Sequence, residues 1–275
     1  MNPIRNYLNS LGEACRVDGA FPAETAADRL YWAPDPASLS VPVSAGRTVR
    51  LVVLHESDRA SKLQLDLGEG ARLELVEVFA APATVEVQLT QSAGSTSRIT
   101  AVQLTGAAAS YRTELNAPHA ASELRGLFLA GGEEQCTVRL HTAHNAPDCR
   151  SESVVKGVAG GTATGRFDGL VYVAPDAQRT DAVQQSRNVL LSDTARIDTL
   201  PQLEIYADDV RCSHGATVGQ MDDEAVLYMR QRGLSEAAAR RLQLEGFAAD
   251  VVRQCGIDPL GEVLMQAVAE KMGQL

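Results

Sequence analysis

The sequence predicts a mainly β protein that ends in a small helical subdomain. Between residues 43 and 220, short segments alternate apolar and polar side chains, a pattern typical of strands with one buried and one wet face. Gly, Ser, Asn, Asp or Pro separate these segments, and from residue 221 the apolar spacing becomes helical. We therefore expect an N-terminal helical and linker segment 1–42, a β core 43–220 and a C-terminal helical subdomain 221–275.

The N-terminal segment combines a helical pattern with a proline-rich stretch. Ile4, Tyr7, Leu8 and Leu11 recur at helical spacing, which predicts a short helix. Residues 31–42 contain three prolines, which favour an extended linker between this helix and the β core.

Four segments carry the β prediction. Residues 63–67 (LQLDL), 84–89 (TVEVQL) and 136–140 (CTVRL) alternate strictly, whereas the alternation that begins at 72–75 (RLEL) slips phase at Val76. Many short strands fit a sandwich, a closed barrel or a β-helix, and periodicity alone does not separate these architectures. An aromatic content of 4% and an abundance of small residues favour a β-solenoid, although the sequence shows no strict repeat.

A group of glycines follows the segment 136–140: Gly157, Gly160, Gly161, Gly165 and Gly169. Their spacing does not match the G-x-G-x-x-G phosphate-binding pattern, and no helical pattern follows them. We therefore expect these glycines to form turns between strands.

The C-terminal subdomain is predicted to hold three helices. Asp222 is suited to cap the first helix, which is expected to stop at Gly233, and Ser235 is suited to cap the second. Asp258-Pro259 predicts a third helix with Pro259 at its first position. An apolar stripe along this third helix is expected to pack on the core or on a partner.

Composition and charge exclude several classes of protein. The 275 residues carry a net charge of −10. Binding to nucleic acid or to an anionic membrane needs clustered Lys and Arg, so this acidic chain is not expected to bind either. No run approaches the length of a membrane span and the N-terminus lacks a leader pattern, so we expect a cytoplasmic protein. The five cysteines include no C-x-x-C pair, which disfavours a disulfide framework or a zinc ribbon. The motifs of phosphate-loop ATPases and of serine hydrolases are missing too.

The sharpest local feature is Cys212-Ser213-His214-Gly215. It follows a short strand-like stretch, and because positions i and i+2 of a strand point to the same face, Cys212 and His214 would project side by side. A thiolate and an imidazole are good ligands for iron or zinc. The alternative is a buried cysteine beside a hydrogen-bonded histidine that binds no ligand.

A weaker metal candidate consists of His141 and His144, flanked by Cys136 and Cys149. The two histidines are three residues apart, a spacing that would place them on one face of a helix, but here they fall in a predicted loop. A metal-dependent β-fold enzyme that uses His141, His144 and Cys212 is one alternative function.

Six motifs occur in a fixed order in the second half of the chain. They are GRFDG (165–169) followed by VYV (171–173), QQSRNVLLS (184–192), LPQLEI (200–205), DVRCSHGATVG (209–219), LYM (227–229) and RGL (232–234). In this order they resemble the motifs of the SufB/SufD family of iron–sulfur cluster assembly scaffolds, and the resemblance extends from about residue 119 to about residue 247.

The resemblance implies a right-handed parallel β-helix core and a form closer to SufD than to SufB. SufB has Glu-His-Glu where this chain has Cys-Ser-His, and it has a sulfur-accepting cysteine where this chain has Ser186. His214 and Cys212 match residues at the subunit interface where a nascent cluster is thought to form. Both are therefore expected to contact that cluster, with His214 as a transient iron ligand, and no tightly bound cofactor is expected.

The resemblance also implies partners. A scaffold of this kind pairs with a SufB-like subunit, binds a SufC-like ATPase through its C-terminal helices and has no enzymatic turnover of its own. Two copies of the chain could also pair with each other, whereas neither nucleic acid nor a membrane is expected as a partner. The second alternative function is a purely structural adaptor for the SufC-like ATPase, in which His214 has no role.

Overall fold

The computed structural model describes residues 3–22 and 29–275, and this part of the chain contains fifteen strands and four α-helices. The strands are β1 (Leu30–Pro34), β2 (Ser38–Val43), β3 (Thr48–His55), β4 (Ala60–Leu67), β5 (Arg72–Phe79), β6 (Thr84–Gln91), β7 (Thr96–Gln103), β8 (Ala108–Leu115), β9 (Ala121–Ala130), β10 (Gln135–His144), β11 (Arg150–Ala159), β12 (Thr164–Val173), β13 (Thr180–Leu190), β14 (Arg196–Ile205) and β15 (Val210–Gln220). The helices are α1 (Pro3–Ser10), α2 (Asp223–Gln231), α3 (Glu236–Val252) and α4 (Leu260–Met272).

Odd- and even-numbered strands form two separate parallel sheets. The eight odd strands lie side by side from β1 to β15, and the seven even strands lie side by side from β2 to β14. The chain therefore winds as a β-helix, because each strand passes to the other sheet before the chain returns beside its predecessor. This topology confirms the mainly β prediction and the parallel β-helix core.

The coils of the β-helix are not of equal length. Thr48 of β3 lies opposite Arg72 of β5, and Arg72 lies opposite Thr96, so each of these coils advances by 24 residues. After Ala121 the register advances by 29 residues to Arg150 and by 31 residues to Asp181. This change of coil length explains why the sequence shows no strict repeat although the backbone is repetitive.

Aliphatic side chains fill the space between the two sheets. Leu51, Leu75, Leu65 and Leu89 are representative, since each is at most 1% exposed and belongs to one continuous cluster that runs through most coils. Burial of each such side chain contributes roughly 1.5–3 kcal/mol. The strict alternation at 63–67 and 84–89 reflects this arrangement, because β4 and β6 bury only their inward face.

The eight-stranded sheet is covered on its outward face by helices, and we call it the covered sheet. Apolar residues of α1, α3 and α4 pack against outward residues such as Val52, Val76 and Leu127 in a second hydrophobic cluster. The phase slip at Val76 has this cause, since β5 buries its inward face in the core between the sheets and its outward face under the helices. The seven-stranded sheet, which we call the open sheet, carries no helix on its outward face among the described residues.

The helix boundaries follow the capping signals closely. The Asp222 carboxylate accepts a hydrogen bond from the Ala225 amide at the start of α2, and Ser235 accepts one from the Ala238 amide at the start of α3. Pro259 differs from the prediction by one position, because it is the residue that caps α4 and Leu260 is the first helical residue. None of the helices in the described ranges is long and apolar enough to cross a membrane.

Residues 31–42 are largely extended, as predicted, but the prediction that they form a linker was wrong. Most of these residues form β1 and β2, which take part in the two sheets at their N-terminal edge. Proline is tolerated there because an edge strand needs fewer backbone donors than a central strand. The predicted helix at the start of the chain is confirmed as α1, whereas residues 1–2 and 23–28 of the N-terminal segment lie outside the described residues.

The turn prediction for the glycine group was only partly right. Gly160 and Gly161 lie between strands, but Gly157 lies within β11, and Gly165 and Gly169 lie within β12. A Cβ on Gly157 would come within 2.1 Å of the Phe128 ring. These strand glycines therefore make room for large inward side chains rather than for a change of direction.

Candidate functional site

Strand β15 carries the Cys-Ser-His motif at one edge of the covered sheet. Among the described residues it pairs with β13 alone, and nearly all of its own residues are exposed. On the open sheet, β14 is likewise the last strand and is exposed along most of its length. We call the surface formed by β14 and β15 the open end of the β-helix.

Cys212 and His214 project from β15 in the same direction, as the sequence predicted. In the parallel register Cys212 lies opposite Ala182 of β13 and His214 lies opposite Gln184. Both β13 residues are buried in the β-helix, so the side chains of Cys212 and His214 also point to the inward side, next to these β13 residues.

The two side chains differ in exposure. Cys212 is partly buried and packs against a small apolar cluster that includes Ala182 and Ala207. Burial raises the pKa of the Cys212 thiol, which favours the protonated form until a metal or another cation displaces the proton. His214 is exposed and accessible to a partner or ligand. The site can therefore present an imidazole freely and a thiol at its inner margin.

Beneath β15 lie three buried polar side chains, which we call the polar floor: Gln184, Ser186 and Asn188 of β13. Gln184 donates to the carbonyl oxygen of Gly169, and Asn188 donates to Ser186 Oγ at 2.9 Å. A shallow cleft of about 280 Å³ lies along β13 and β15 and is lined by Ser186 and His214 among others. Ser186 holds a hydroxyl, so it offers no thiol to this cleft.

Exposed apolar side chains lie at the open end. Leu200, Ile205 and Tyr206 at β14 and Val218 on β15 are between 38% and 61% exposed. The Tyr206 ring contacts Tyr172 of β12 at a centroid distance of 5.7 Å. An uncovered strand edge with apolar side chains is a surface on which another chain can pack.

The structure separates the other predicted metal ligands. His141 and His144 belong to β10 and not to a loop as predicted, and three positions apart on a strand they face opposite sides. His144 is fully buried and hydrogen-bonds Ser151 at 2.8 Å, and burial lowers its pKa to about 4. Within residues 3–22 and 29–275 there is no group of three or more His, Cys, Asp or Glu arranged to hold a metal. His141, His144 and Cys212 lie in two different sheets, so the geometry gives no support to the metal-enzyme alternative.

Two cysteines that the sequence placed near these histidines are also structural. Cys136 and Cys149 are buried, and each thiol hydrogen-bonds a backbone carbonyl oxygen. Burial raises the pKa of Cys136 to about 12, so this thiol stays protonated in the folded chain.

A second exposed apolar surface lies on the C-terminal helices. Leu227 and Tyr228 of α2, Leu234 between the helices and Leu242 of α3 are all at least 36% exposed. The opposite side of α3 is fixed to the covered sheet, because the buried Lys156 ammonium lies 2.7 Å from an Asp250 oxygen and 3.0 Å from the Phe247 carbonyl oxygen. The amphipathic pattern predicted the helices, but which apolar residues stay exposed depends on contacts that the sequence does not show.

Comparison with known proteins agrees with this geometry. The family model described as the SufBD core domain of the SUF system for FeS cluster assembly matches residues 38–247. The iron–sulfur cluster assembly protein SufD of Escherichia coli K12 is 37% identical over 162 residues, which make up 59% of this chain and 37% of that protein.

Two further relatives show the same pattern. A SufBD family protein of Synechocystis is 36% identical over 148 residues, covering 54% of this chain and 33% of the relative. SufD of Bacillus subtilis is 34% identical over 116 residues, which make up 42% of this chain and 26% of that relative. The matched regions thus span less than two fifths of these relatives' own lengths. With a family model that matches most of its length and a parallel β-helix that ends in an exposed Cys-Ser-His strand, the chain belongs to the SufBD core family of iron–sulfur cluster assembly proteins.

Proposed function

We propose that this chain is a SufD-like scaffold subunit without enzymatic turnover of its own, which pairs with a SufB-like subunit at its open end. The iron–sulfur cluster is its cargo and not a resident cofactor. In this proposal the nascent cluster forms between the two subunits, where His214 serves as a transient iron ligand and Cys212 contacts the cluster from the inner margin of the site.

The observation that carries the proposal is the exposure of β15. A strand edge of 11 residues that is open to solvent offers backbone donors and acceptors to a second strand. His214 lies in the middle of this strand, which also carries the exposed Val218, so a subunit that covers the open end would enclose the imidazole. Enclosure excludes water and strengthens the binding of metal by the few ligands present.

The C-terminal helices support a second contact in the same proposal. Their exposed apolar residues Leu227, Tyr228 and Leu242 suit a SufC-like ATPase, while Lys156 holds α3 on the covered sheet. Movement of the ATPase would then act on a helix layer that is joined directly to the end of β15 at Met221.

The direct test is cluster maturation in cells that depend on this chain. We expect His214→Ala to leave folding and thermal stability unchanged, because His214 is exposed, while maturation of an iron–sulfur reporter enzyme is lost. His141→Ala is the matched control, since His141 lies on the open sheet away from β15 and its loss should leave maturation normal. Normal maturation with His214→Ala would refute the proposed site.

A second candidate function is a purely structural adaptor that holds the SufC-like ATPase. The exposed apolar surface on α2 favours it independently of His214. Leu227→Asp should abolish co-purification of the ATPase in either case. An adaptor is indicated if His214→Ala supports maturation while Leu227→Asp does not, and the scaffold role is indicated if both variants fail.

A further inference from the structure

In the part of the chain that the structure describes, strand β15 has a neighbouring strand on one side only, so the contacts that hold this strand decide where His214 lies. Backbone pairing with β13 is the first support. The second comes from inside the β-helix, where Asn188 Nδ2 donates a hydrogen bond to the carbonyl oxygen of Thr217 at 3.1 Å. In the described part of the chain no other side chain hydrogen-bonds the backbone of β15.

The orientation of the Asn188 amide follows from its partners. A carbonyl oxygen only accepts hydrogen bonds, so the nitrogen and not the oxygen of the amide must face Thr217. The same nitrogen donates to Ser186 Oγ, whereas Asn188 Oδ1 has no hydrogen-bond partner among the described residues. Asn188 is only 3% exposed, so Oδ1 is a buried acceptor left unpaired, while both hydrogen bonds donated by Nδ2 are made.

The space around Asn188 is shaped for this side chain. Gly157 of β11 lies opposite Asn188, and a Cβ on Gly157 would come within 2.5 Å of Asn188 Oδ1. The glycine therefore leaves the amide just enough room to lie beneath β15. The turn interpretation of Gly157 missed this role, because the contact depends on the register of neighbouring coils.

An interior amide elsewhere in the β-helix provides a matched comparison. Gln103 of β7 occupies the same inward column as Asn188, is also buried, and donates from Nε2 to the carbonyl oxygen of Thr137 at 3.2 Å. The strand that carries Thr137, β10, has neighbours on both sides. Its backbone is therefore held by two ladders, whereas that of β15 is held by one ladder and by Asn188.

We propose that Asn188 is a positioning residue, whose amide fixes the edge strand β15 and through it the placement of the His214 imidazole. What His214 then does rests on the proposed function, but the positioning itself does not. The chemistry involved is a neutral hydrogen bond, and no covalent or redox step is needed.

Amide hydrogen exchange of the isolated protein tests the positioning. Loss of one ordinary hydrogen bond predicts that β15 amides exchange about fivefold faster in Asn188→Leu than in the wild-type chain. Gln103→Leu, which removes a buried amide of the same column, should leave β15 exchange unchanged. Equal β15 exchange in the wild type and in Asn188→Leu would overturn the proposal.

A measurement on the wild-type chain keeps the test valid if Asn188→Leu folds poorly. The side-chain amide protons of Asn188 should exchange slowly and show a scalar coupling to the Thr217 carbonyl carbon, whereas the Gln185 amide should exchange fast. Fast exchange of the Asn188 amide without such a coupling would contradict the contact.

The effect of Asn188 on the position of His214 must be measured with a signal that general destabilisation of the fold leaves unchanged. The ring signals of His214 in NMR spectra should broaden in Asn188→Leu and stay sharp in Gln103→Leu. In cells, Asn188→Leu should reduce cluster maturation per folded molecule. If His214→Ala has no effect on maturation, the proposed function fails while the exchange result still decides the positioning. If His214→Ala abolishes maturation and Asn188→Leu does not reduce it, the positioning role is refuted.

Discussion

The first coils and the open end of the β-helix use the same strand geometry for opposite purposes. One inward column shows the change from coil to coil: Leu75, Ile99, Leu124, Ser153, Gln184 and His214. The early positions are aliphatic and sealed between the sheets, whereas Gln184 is polar and His214 is exposed. Side chains that stabilise the fold therefore lie at one end, and side chains available for chemistry lie at the other.

The largest expected effect on the free energy of unfolding lies in the buried interior of the β-helix. Phe128→Ala should lower the free energy of unfolding by about 3–5 kcal/mol, because the ring fills space that Gly157 and Gly165 leave open for it. Leu200→Ala at the open end should change it by less than about 0.5 kcal/mol. Denaturant unfolding measures both, and similar losses for the two variants would remove the proposed contrast.

The next effect depends on pH and on the buried His144. Burial lowers its pKa from 6.5 to about 4, so the unfolded chain binds a proton at a higher pH than the folded chain does. Stability should therefore be fully present above pH 6.5 and fall as the pH drops towards 4, with a loss of up to about 3 kcal/mol from this residue.

Denaturant titrations between pH 7 and pH 4.5 measure the contribution of His144. His144→Gln should flatten the pH dependence of the free energy of unfolding relative to the wild type, because it removes the buried imidazole. An unchanged slope in His144→Gln would show that another group causes the acid sensitivity.

A smaller effect is expected where the helices meet the covered sheet. Asp250→Asn leaves the buried Lys156 ammonium without its carboxylate, which we expect to cost about 1 kcal/mol because Asp250 is itself half exposed. Arg241→Gln on the same helix breaks only an exposed pair with Glu245 and should cost about 0.3 kcal/mol. Thermal unfolding of the two variants compares them, and a larger effect of Arg241→Gln would contradict the structural importance of Lys156.

The smallest effect on folding is expected at the open end itself. Val218→Asp places a carboxylate on an exposed edge strand, so unfolding should change by less than about 0.5 kcal/mol. If the proposed pairing with a SufB-like subunit holds, this binding should nevertheless be lost, because the charge would be buried without a partner. Size-exclusion chromatography of the mixed subunits measures this, and an intact complex would place the interface elsewhere.

Sequence reasoning worked where the signal is local. The alternation at 63–67 and the caps Asp222 and Ser235 depend on neighbours a few residues away, and the structure confirms the strand and both helix starts. The phase slip at Val76 was also a local signal, although its cause, cover by helices from both ends of the chain, became clear only in the structure.

Sequence reasoning failed where contacts are distant. Gly157 lies against Phe128 of the neighbouring coil, and no sequence pattern near residue 157 indicates a contact with an aromatic ring 29 positions earlier. The Asn and Pro just after His144 suggested a loop, but β10 continues through His144 because β8 and β12 pair with it on both sides. The parallel β-helix followed from family resemblance, and the exposure of His214 depends on β15 having no further strand beside it within residues 3–22 and 29–275.

Amide hydrogen exchange of this chain with and without a SufB-like subunit tests the central claim most directly. We expect amides of β14 and β15 to exchange faster than those of β3 to β9 in the isolated chain and to become more strongly protected in the complex, while those of β3 to β9 stay equally protected in both. Unchanged exchange at β14 and β15 in a complex that does form would contradict the account.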